Sequence, residues 1–186
     1  DPSLMTSAPS VGMTYDTDNR LTSFLQPFVS EPVSVTHDAD GNMTYGPLAR
    51  AQAGFFQYDS RNRLVTTEGA SYRYDAEGVR LSATINGVTQ EFVTDPNQGL
   101  SKVLSRTIGA STQRYVWGVG LLYEINDAGE AVYYHFDSVG STIALSNQAG
   151  AAFEQTRYSP YGNIVYRSGD YDTPFLFTGF WGIQKD

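Results

Sequence analysis

The chain has 186 residues and a formal net charge of −8, from 12 Lys and Arg against 20 Asp and Glu. Binding to nucleic acid or to an anionic membrane needs clustered cations that neutralise phosphates, so we expect neither kind of partner. The absence of Cys excludes disulfides, thiolate catalysis and thiolate metal sites. Charged residues make up only 17%, while 13 Tyr, 10 Phe and 18 Gly favour strands and turns over helices.

The sequence shows no membrane span and no targeting signal. No apolar run approaches the roughly 18 residues of a spanning helix. The start, Asp1-Pro2-Ser3, has neither an initiator Met nor the basic-then-apolar pattern of a signal peptide. Because about 100 to 200 residues usually form one domain, we expect one domain that is a piece of a larger protein.

A short pattern recurs four times in the first half of the chain. Each copy begins with a ring-bearing residue, followed by Asp and two variable residues. A Gly or Asn comes next, and after it a residue with a long side chain and an aliphatic residue. An Asp side chain accepts hydrogen bonds from the amides just ahead of it, and Gly or Asn tolerates positive φ. Each copy therefore predicts a hairpin turn, and residues 1–94 are predicted to be a ladder of hairpins. The repeat-defining residues of the four copies are Tyr15, Asp16, His37, Asp38, Tyr58, Asp59, Tyr74, Asp75 and Gly78.

The segments between these turns also favour strands. Apolar and polar residues alternate with a period of two, and Asn86-Gly87 is a strong hairpin signal. The stretch 23–36, which contains two prolines, predicts either an edge strand or an irregular loop. Residues 47–57 are the best helix candidate, but this segment is short and interrupted by a glycine, so we predict no helix of appreciable length.

The composition of the sequence changes after residue 94, but strand and turn signals continue in the second half. Residues 95–114 predict a loop, a strand at 101–108 and a further turn. An aromatic-rich stretch at 114–125 follows, and turn signals return at 126–129 and 147–150. We predict an all-β chain of about a dozen short strands that are joined as consecutive antiparallel hairpins.

Three blocks of the second half carry a family resemblance. Residues 134–142 resemble a tyrosine-rich block ending in Asp-x-x-Gly-Ser-Thr. Residues 158–162 resemble a Tyr-Asp-Pro-Tyr-Gly block with Ser in place of Asp, and residues 174–179 match Pro-Phe-x-Phe-Thr-Gly. Together with the repeats, they resemble the YD-repeat or Rhs (rearrangement hotspot) family and its repeat-associated core over nearly the whole chain. The matching repeat-defining positions in these blocks are Asp137, Gly140, Tyr158 and Gly162.

The resemblance implies a strip-wound, curved sheet or partial shell, in which residues 95–186 form a core-like segment continuous with residues 1–94. It implies a structural, encapsulating role in a larger secreted or cell-surface protein of the polymorphic toxin type. The partners it implies are the remainder of the shell and an enclosed C-terminal payload. The family's self-cleavage motif follows the third block, beyond the last residue of this sequence, so the resemblance implies no enzymatic activity here.

Candidate metal and catalytic groups each have a structural alternative. His37 and His135 are the only histidines and suggest a metal or acid–base pair, but both stand in repeat blocks beside an Asp. Residues 38–42 imitate the start of a calcium loop, yet the twelfth position of that loop is Ala49 instead of Glu. Carboxylates two residues apart fall in turn sequences, where we expect them to be solvated. We therefore predict no metal, cofactor or catalytic residue.

The aromatic residues leave a second function open. Trp117, Tyr123 and Tyr133 can stack on sugar rings, as in an adhesive or carbohydrate-binding module. The same rings can instead pack across neighbouring strands, which is an ordinary source of sheet stability. The structural module is the favoured interpretation, and carbohydrate binding is its alternative.

Overall fold

The computed structural model describes residues 12–26, 29–48, 52–97 and 101–185. These residues form 17 antiparallel β-strands and a single 3₁₀ turn at Gly179–Trp181. The prediction of an all-β chain built from consecutive antiparallel hairpins is confirmed. The strands outnumber the predicted dozen because several of only two to four residues flank the turns. None of the described residues lies in a helix that is long and apolar enough to cross a membrane.

The chain divides into two compact units, residues 1–72 and 73–186. The division at residue 94, expected between the repeat and core-like segments, falls inside the second unit and stays a prediction. Unit 1 begins with a three-stranded sheet in chain order: β1 (Met13–Tyr15), β2 (Leu21–Phe24) and β3 (Val33–Ser34). The strands that follow, also side by side in chain order, are β4 (Thr36–His37), β5 (Met43–Pro47), β6 (Ala53–Tyr58), β7 (Leu64–Thr67) and β8 (Ala70–Tyr74), the last of which crosses the unit boundary.

Two ambiguous stretches of the sequence lie in unit 1. Between residues 23 and 36, β3 forms an edge of the three-stranded sheet, so the edge-strand alternative applies there; residues 27–28 lie outside the described part. The rejected helix candidate at 47–57 contributes to β5 and β6, and its residues 49–51 are likewise outside the described part.

Unit 2 is a meander in which each strand pairs with the next one along the chain. The two-residue turn Asn86-Gly87 has positive φ at both positions, which suits the twist of a tight hairpin. The predicted strand at 101–108 is present as β11. The strands are β9 (Arg80–Ile85), β10 (Val88–Asp95), β11 (Lys102–Ile108), β12 (Ser111–Trp117), β13 (Leu121–Ile125), β14 (Ala131–Phe136), β15 (Thr142–Asn147), β16 (Ala152–Tyr158) and β17 (Ile164–Arg167).

The core of unit 2 forms where the end of the chain crosses the sheet. Residues 168–185, here named the C-terminal strap, contain no strand and lie on one face of β11–β16, the covered face. Phe175 of the strap is fully buried, with its ring centroid 4.8 Å from that of Tyr115 and 5.5 Å from that of Trp117. A side chain from each of these six strands contacts the strap: Arg106, Tyr115, Glu124, Tyr134, Thr142 and Glu154.

Candidate functional site

One hairpin turn is repeated eight times among the described residues. The amide of its first residue donates to the carbonyl four residues ahead, and the carbonyl of the first residue accepts the amide three residues ahead. The fourth residue has a positive φ, as in a turn closed by a bulge around Gly or Asn. The first and fourth residues are Asp16 and Asn19, Asp38 and Gly41, Asp59 and Asn62, Asp75 and Gly78, Asn126 and Gly129, Asp137 and Gly140, Asn147 and Gly150, and Ser159 and Gly162.

The side chain of the first residue ties the turn together. In one copy, Oδ1 of Asp59 accepts the amides of Arg61 at 2.9 Å and Arg63 at 3.0 Å. Ser159 uses its hydroxyl oxygen to accept the amide of Asn163 at 3.2 Å. Neutral residues can stand in for Asp because the turn needs an acceptor oxygen rather than a charge. One side-chain oxygen likewise accepts two amides at Asp16, Asp38, Asn126, Asp137 and Asn147.

Three of these turns do not open with Asp: two fall at the turn signals of 126–129 and 147–150, and the third lies in the 158–162 block, with its predicted repeat positions Tyr158 and Gly162. Asn126, Asn147 and Ser159 open turns of the same geometry, but none of them belongs to a ring-Asp pair. The spacing of an acceptor side chain three residues before a Gly or Asn is the signal that identifies all eight.

Three Asp residues that open turns, Asp16, Asp38 and Asp59, have a lowered pKa and are held in their ionised form. Nε of Arg63 donates to Oδ2 of Asp59 at 2.7 Å, and this hydrogen bond, with those from backbone amides, lowers the pKa of Asp59 to about 2. Hydrogen bonds also hold the pKa of Asp38 below its ordinary value, the largest contribution coming from the Asn42 side chain. Both oxygens of Asp38 are occupied within the turn, by two amides and by Asn42 Nδ2, so the calcium-like sequence at 38–42 has the geometry of the repeated turn.

The rings of the repeat share one structural position, the last residue of the strand that leads into the turn. His37 lies at that position in its own copy. The other histidine, His135, is placed differently: its Nε2 lies 2.8 Å from the Ser146 hydroxyl across the β14–β15 pair. Among the described residues no group of three or more His, Asp or Glu is arranged to hold a metal ion. The predicted rings at the shared position are Tyr15, Tyr58, Tyr74 and Tyr158.

The three rings considered for sugar stacking do not share a surface. Tyr123 and Tyr133 pair across β13 and β14, with ring centroids 5.3 Å apart. Trp117 lies against Phe175 of the strap, and its Nε1 donates to the carbonyl of Val103 at 2.8 Å. The structure therefore brings two of these rings together and places the third under the strap.

A buried carboxyl group lies beneath the strap at the centre of unit 2. Glu124 on β13 is only 1% exposed. Tyr171 of the strap donates from its hydroxyl to Oε1 of Glu124 at 2.5 Å, and the Tyr134 hydroxyl donates to Oε2. The Tyr134 oxygen also lies 2.7 Å from the hydroxyl of Thr173, and Thr173 accepts the amide of Phe175 at 3.1 Å.

These contacts form a chain of hydrogen bonds with a defined direction. Because Thr173 accepts from the Phe175 amide and Tyr134 donates to Glu124, the Thr173 hydroxyl is left to donate to Tyr134. The chain starts at the strap backbone and ends on the Glu124 carboxyl, where a second donor from the strap, Tyr171, also arrives. The strap is thus fastened to the sheet through one buried group.

Two ion pairs fix the strap on either side of this group. Arg106, whose side chain is 2% exposed, donates to the carbonyl of Asp172 at 2.7 Å and pairs with its carboxylate at 3.0 Å. Buried Glu154 pairs with Arg167 at 2.7 Å and accepts the amide of Tyr171 at 2.8 Å. Each buried charge therefore has a hydrogen-bonded partner, which lowers the cost of its burial.

Burial sets the protonation behaviour of the cluster. It raises the pKa of the Glu124 carboxyl, against the opposing effect of the hydrogen bonds from Tyr134 and Tyr171. It also raises the pKa of the Tyr115, Tyr134 and Tyr171 phenols, so these phenols stay neutral. With Glu124 enclosed in this way, the cluster can hold the strap and take up a proton, but it offers no opening for a substrate.

Few features of the sequence indicate this cluster. Glu124 interrupts an otherwise apolar run at 121–125, and Glu154 lies at a strand position whose neighbours are mixed. A charged residue inside an apolar strand is the available signal, because such a residue is buried only when a partner is supplied from elsewhere.

The sequence comparisons connect the chain with segments of much longer proteins. No family model matches it. It is 26% identical over 167 residues to the tRNA3(Ser)-specific nuclease WapA of Bacillus spizizenii, an alignment that covers 84% of this chain and 7% of that protein. It is 29% identical over 154 residues to mouse teneurin-3, covering 76% of this chain and 6% of that protein. The chain thus spans less than a tenth of the length of these curated relatives.

A comparison with solved structures concerns the fold. The crystal structure of TcdB2-TccC3-Cdc42 matches with a TM-score of 0.50 and 12% identity, over 91% of this chain and 11% of the matched one. At that identity the match shows a common fold and nothing about activity. The hairpin architecture described above is therefore one that also occurs within a much longer chain.

Proposed function

We propose that this chain is a wall segment of a YD-repeat (Rhs) protein, with a structural, encapsulating role and no catalytic one. The observation that carries the proposal is the eightfold use of one turn. A repeated turn lets hairpin follow hairpin along a sheet, and each hairpin buries its apolar side chains against its neighbours. Such a strip suits the construction of an extended wall.

The relatives support the same proposal. Proteins many times longer than this chain contain segments similar to it, and a similar fold occurs in part of a long chain of known structure. We propose that the parent protein is secreted or displayed at a cell surface. The remainder of its wall and an enclosed C-terminal payload are the proposed partners.

The chemistry of the described residues supports a role without catalysis. The repeated turns use their acceptor side chains on their own backbone amides, and Glu124 is enclosed by neutral phenols under the strap. The nuclease activity in the name of the WapA relatives is proposed to belong to another part of such proteins. We do not propose sugar binding as a second function, because Trp117 is occupied by Phe175 and Val103.

The wall proposal is tested in the longer protein that carries this segment. Limited proteolysis should leave a C-terminal payload protected when the segment is intact. The same payload should become sensitive when Phe175→Ala loosens the strap, whereas Tyr161→Ala, at a position that is 90% exposed, should change nothing. A payload that is equally sensitive in all three proteins would contradict enclosure. Cleavage of tRNA by the isolated chain would contradict the absence of catalysis.

A further inference from the structure

We propose that the Glu124 carboxyl is a proton-binding switch that sets how tightly the C-terminal strap is held on the covered face. The site is built from both parts of unit 2 that must separate when the strap lifts. Glu124 and Tyr134 belong to the sheet, whereas Tyr171 and Thr173 belong to the strap. The buried environment of Glu124 therefore exists only while the strap is docked.

The docked environment favours the uncharged carboxyl group. Both hydrogen bonds to Glu124 come from neutral phenols. Arg106 directs its terminal nitrogens to Asp172 and acts on Glu124 only through space. A buried carboxylate without a hydrogen-bonded cation is costly, and proton uptake removes that cost.

A buried phenol without a hydrogen-bond partner lies on the neighbouring strand. Tyr115 and Glu124 are direct partners in the β12–β13 register. The Tyr115 hydroxyl is buried and has no hydrogen-bond partner, although a buried polar group normally has one. No hydrogen bond joins this phenol to Glu124, so it gives the ionised carboxylate no support.

The groups that face Glu124 come from every element packed against it, and most of them are neutral. The two charged ones, Arg106 and Asp172, form an ion pair with each other, so the local charge at Glu124 is set mainly by its own proton. The facing groups are Arg106 of β11, Tyr115 of β12, Tyr134 of β14, and Tyr171 and Asp172 of the strap.

The direction of the effect follows from linkage. Burial raises the pKa of docked Glu124 above the ordinary 4.5 that it regains when the strap lifts. The docked form therefore binds the proton more readily, and docking is strengthened as the pH falls through the docked pKa towards 4.5. Each unit of difference between the two pKa values changes the docking equilibrium by up to about tenfold.

Hydrogen exchange of the intact chain measures the switch directly. Strap amides in residues 171–185 are compared at about pH 5.5 and about pH 8, both above the ordinary range of carboxylates, after correction for intrinsic exchange rates. Peptides from β10, which lies outside the covered strands β11–β16, serve as the internal reference. The wild-type strap should be several-fold more protected at the lower pH, by up to about tenfold per unit of pKa difference, and Glu124→Gln should abolish this dependence. Any contribution of the two histidines is common to both proteins and cancels.

Equal protection of the wild-type strap at both pH values would overturn the proposal, and so would an unchanged pH dependence in Glu124→Gln. If the variant does not fold, carboxyl carbon NMR of the wild-type chain gives the same information. A Glu124 titration midpoint clearly above 4.5 supports the switch, and a midpoint at or below that value refutes it.

Discussion

Asn42 donates from Nδ2 to Oδ1 of Asn62 at 2.9 Å, although the two residues are twenty positions apart. Each belongs to a copy of the repeated turn, so this hydrogen bond joins the turns of neighbouring hairpins within unit 1. Asn42 also donates to Asp38 in its own turn. The side-chain amide of Asn42 therefore closes its own turn and also joins that turn to the next one.

A double-mutant cycle with Asn42→Ala and Asn62→Gly isolates that link. Gly keeps the positive φ of position 62, and the loss of the Asn42–Asp38 bond cancels in the cycle. We expect a coupling energy of about 0.5 kcal/mol, at the low end for hydrogen bonds because this bond is exposed to solvent. Urea unfolding of the four proteins gives this value, and zero coupling would mean that the turns do not support one another.

Gly150 tests the backbone requirement of the turn. Its φ is +79°, and a side chain placed there would meet no other atom within 4 Å. Gly150→Ala should therefore destabilise unit 2 by about 1 to 2 kcal/mol through backbone strain alone. Gly150→Asn should cost clearly less, because Asn19 and Asn62 occupy the same place in other copies. Thermal unfolding compares the two variants, and equal losses would contradict the assigned turn.

Phe175 tests the anchoring of the strap. Its ring is fully buried against Tyr115 and Trp117, so Phe175→Ala should lower the free energy of unfolding by about 3 to 5 kcal/mol. The exposed ring of Tyr161 provides the matched control, for which no appreciable loss is expected. Urea unfolding followed by tryptophan fluorescence reports on both, because Trp117 lies at the contact. A loss below about 1 kcal/mol for Phe175→Ala would show that the strap adds little to the core.

The lowered pKa of Asp59 predicts that the folded state loses stability at acidic pH. Its pKa is lowered to about 2 by Arg63 and by backbone amides, so the folded form binds a proton less readily than the unfolded form does. The stabilisation is complete above the ordinary value of 3.8 and is lost as the pH falls towards 2. Asp59→Asn should lower Tm at neutral pH and match the wild type near pH 2, a range set by that pKa. A constant Tm difference over the whole range would contradict the assigned role of the charge.

The turns could be predicted from the sequence because their chemistry is local. An acceptor side chain and a residue of positive φ, three positions apart, contain nearly all the information that closes each hairpin. The cluster around Glu124 is different, because its partners Tyr171 and Thr173 lie almost fifty residues further along the chain. The motif at 174–179 resembles a family block, yet nothing in it indicates that Phe175 lies between Tyr115 and Trp117. The bounds of the very short strands β3 and β4 cannot be predicted from the sequence, because two residues are too few to show an alternating pattern.

The spacing of the turns has a consequence for how such a chain changes in length. In unit 2, Asn126 and Asn147 open turns at one margin of the meander, 21 residues apart, and Asp137 and Ser159 open turns at the opposite margin, 22 residues apart. Inserting or deleting a single strand would reverse the direction of every later strand and exchange the two margins. Gain or loss of a whole hairpin preserves both, so gene duplication can lengthen this sheet only in steps of two strands.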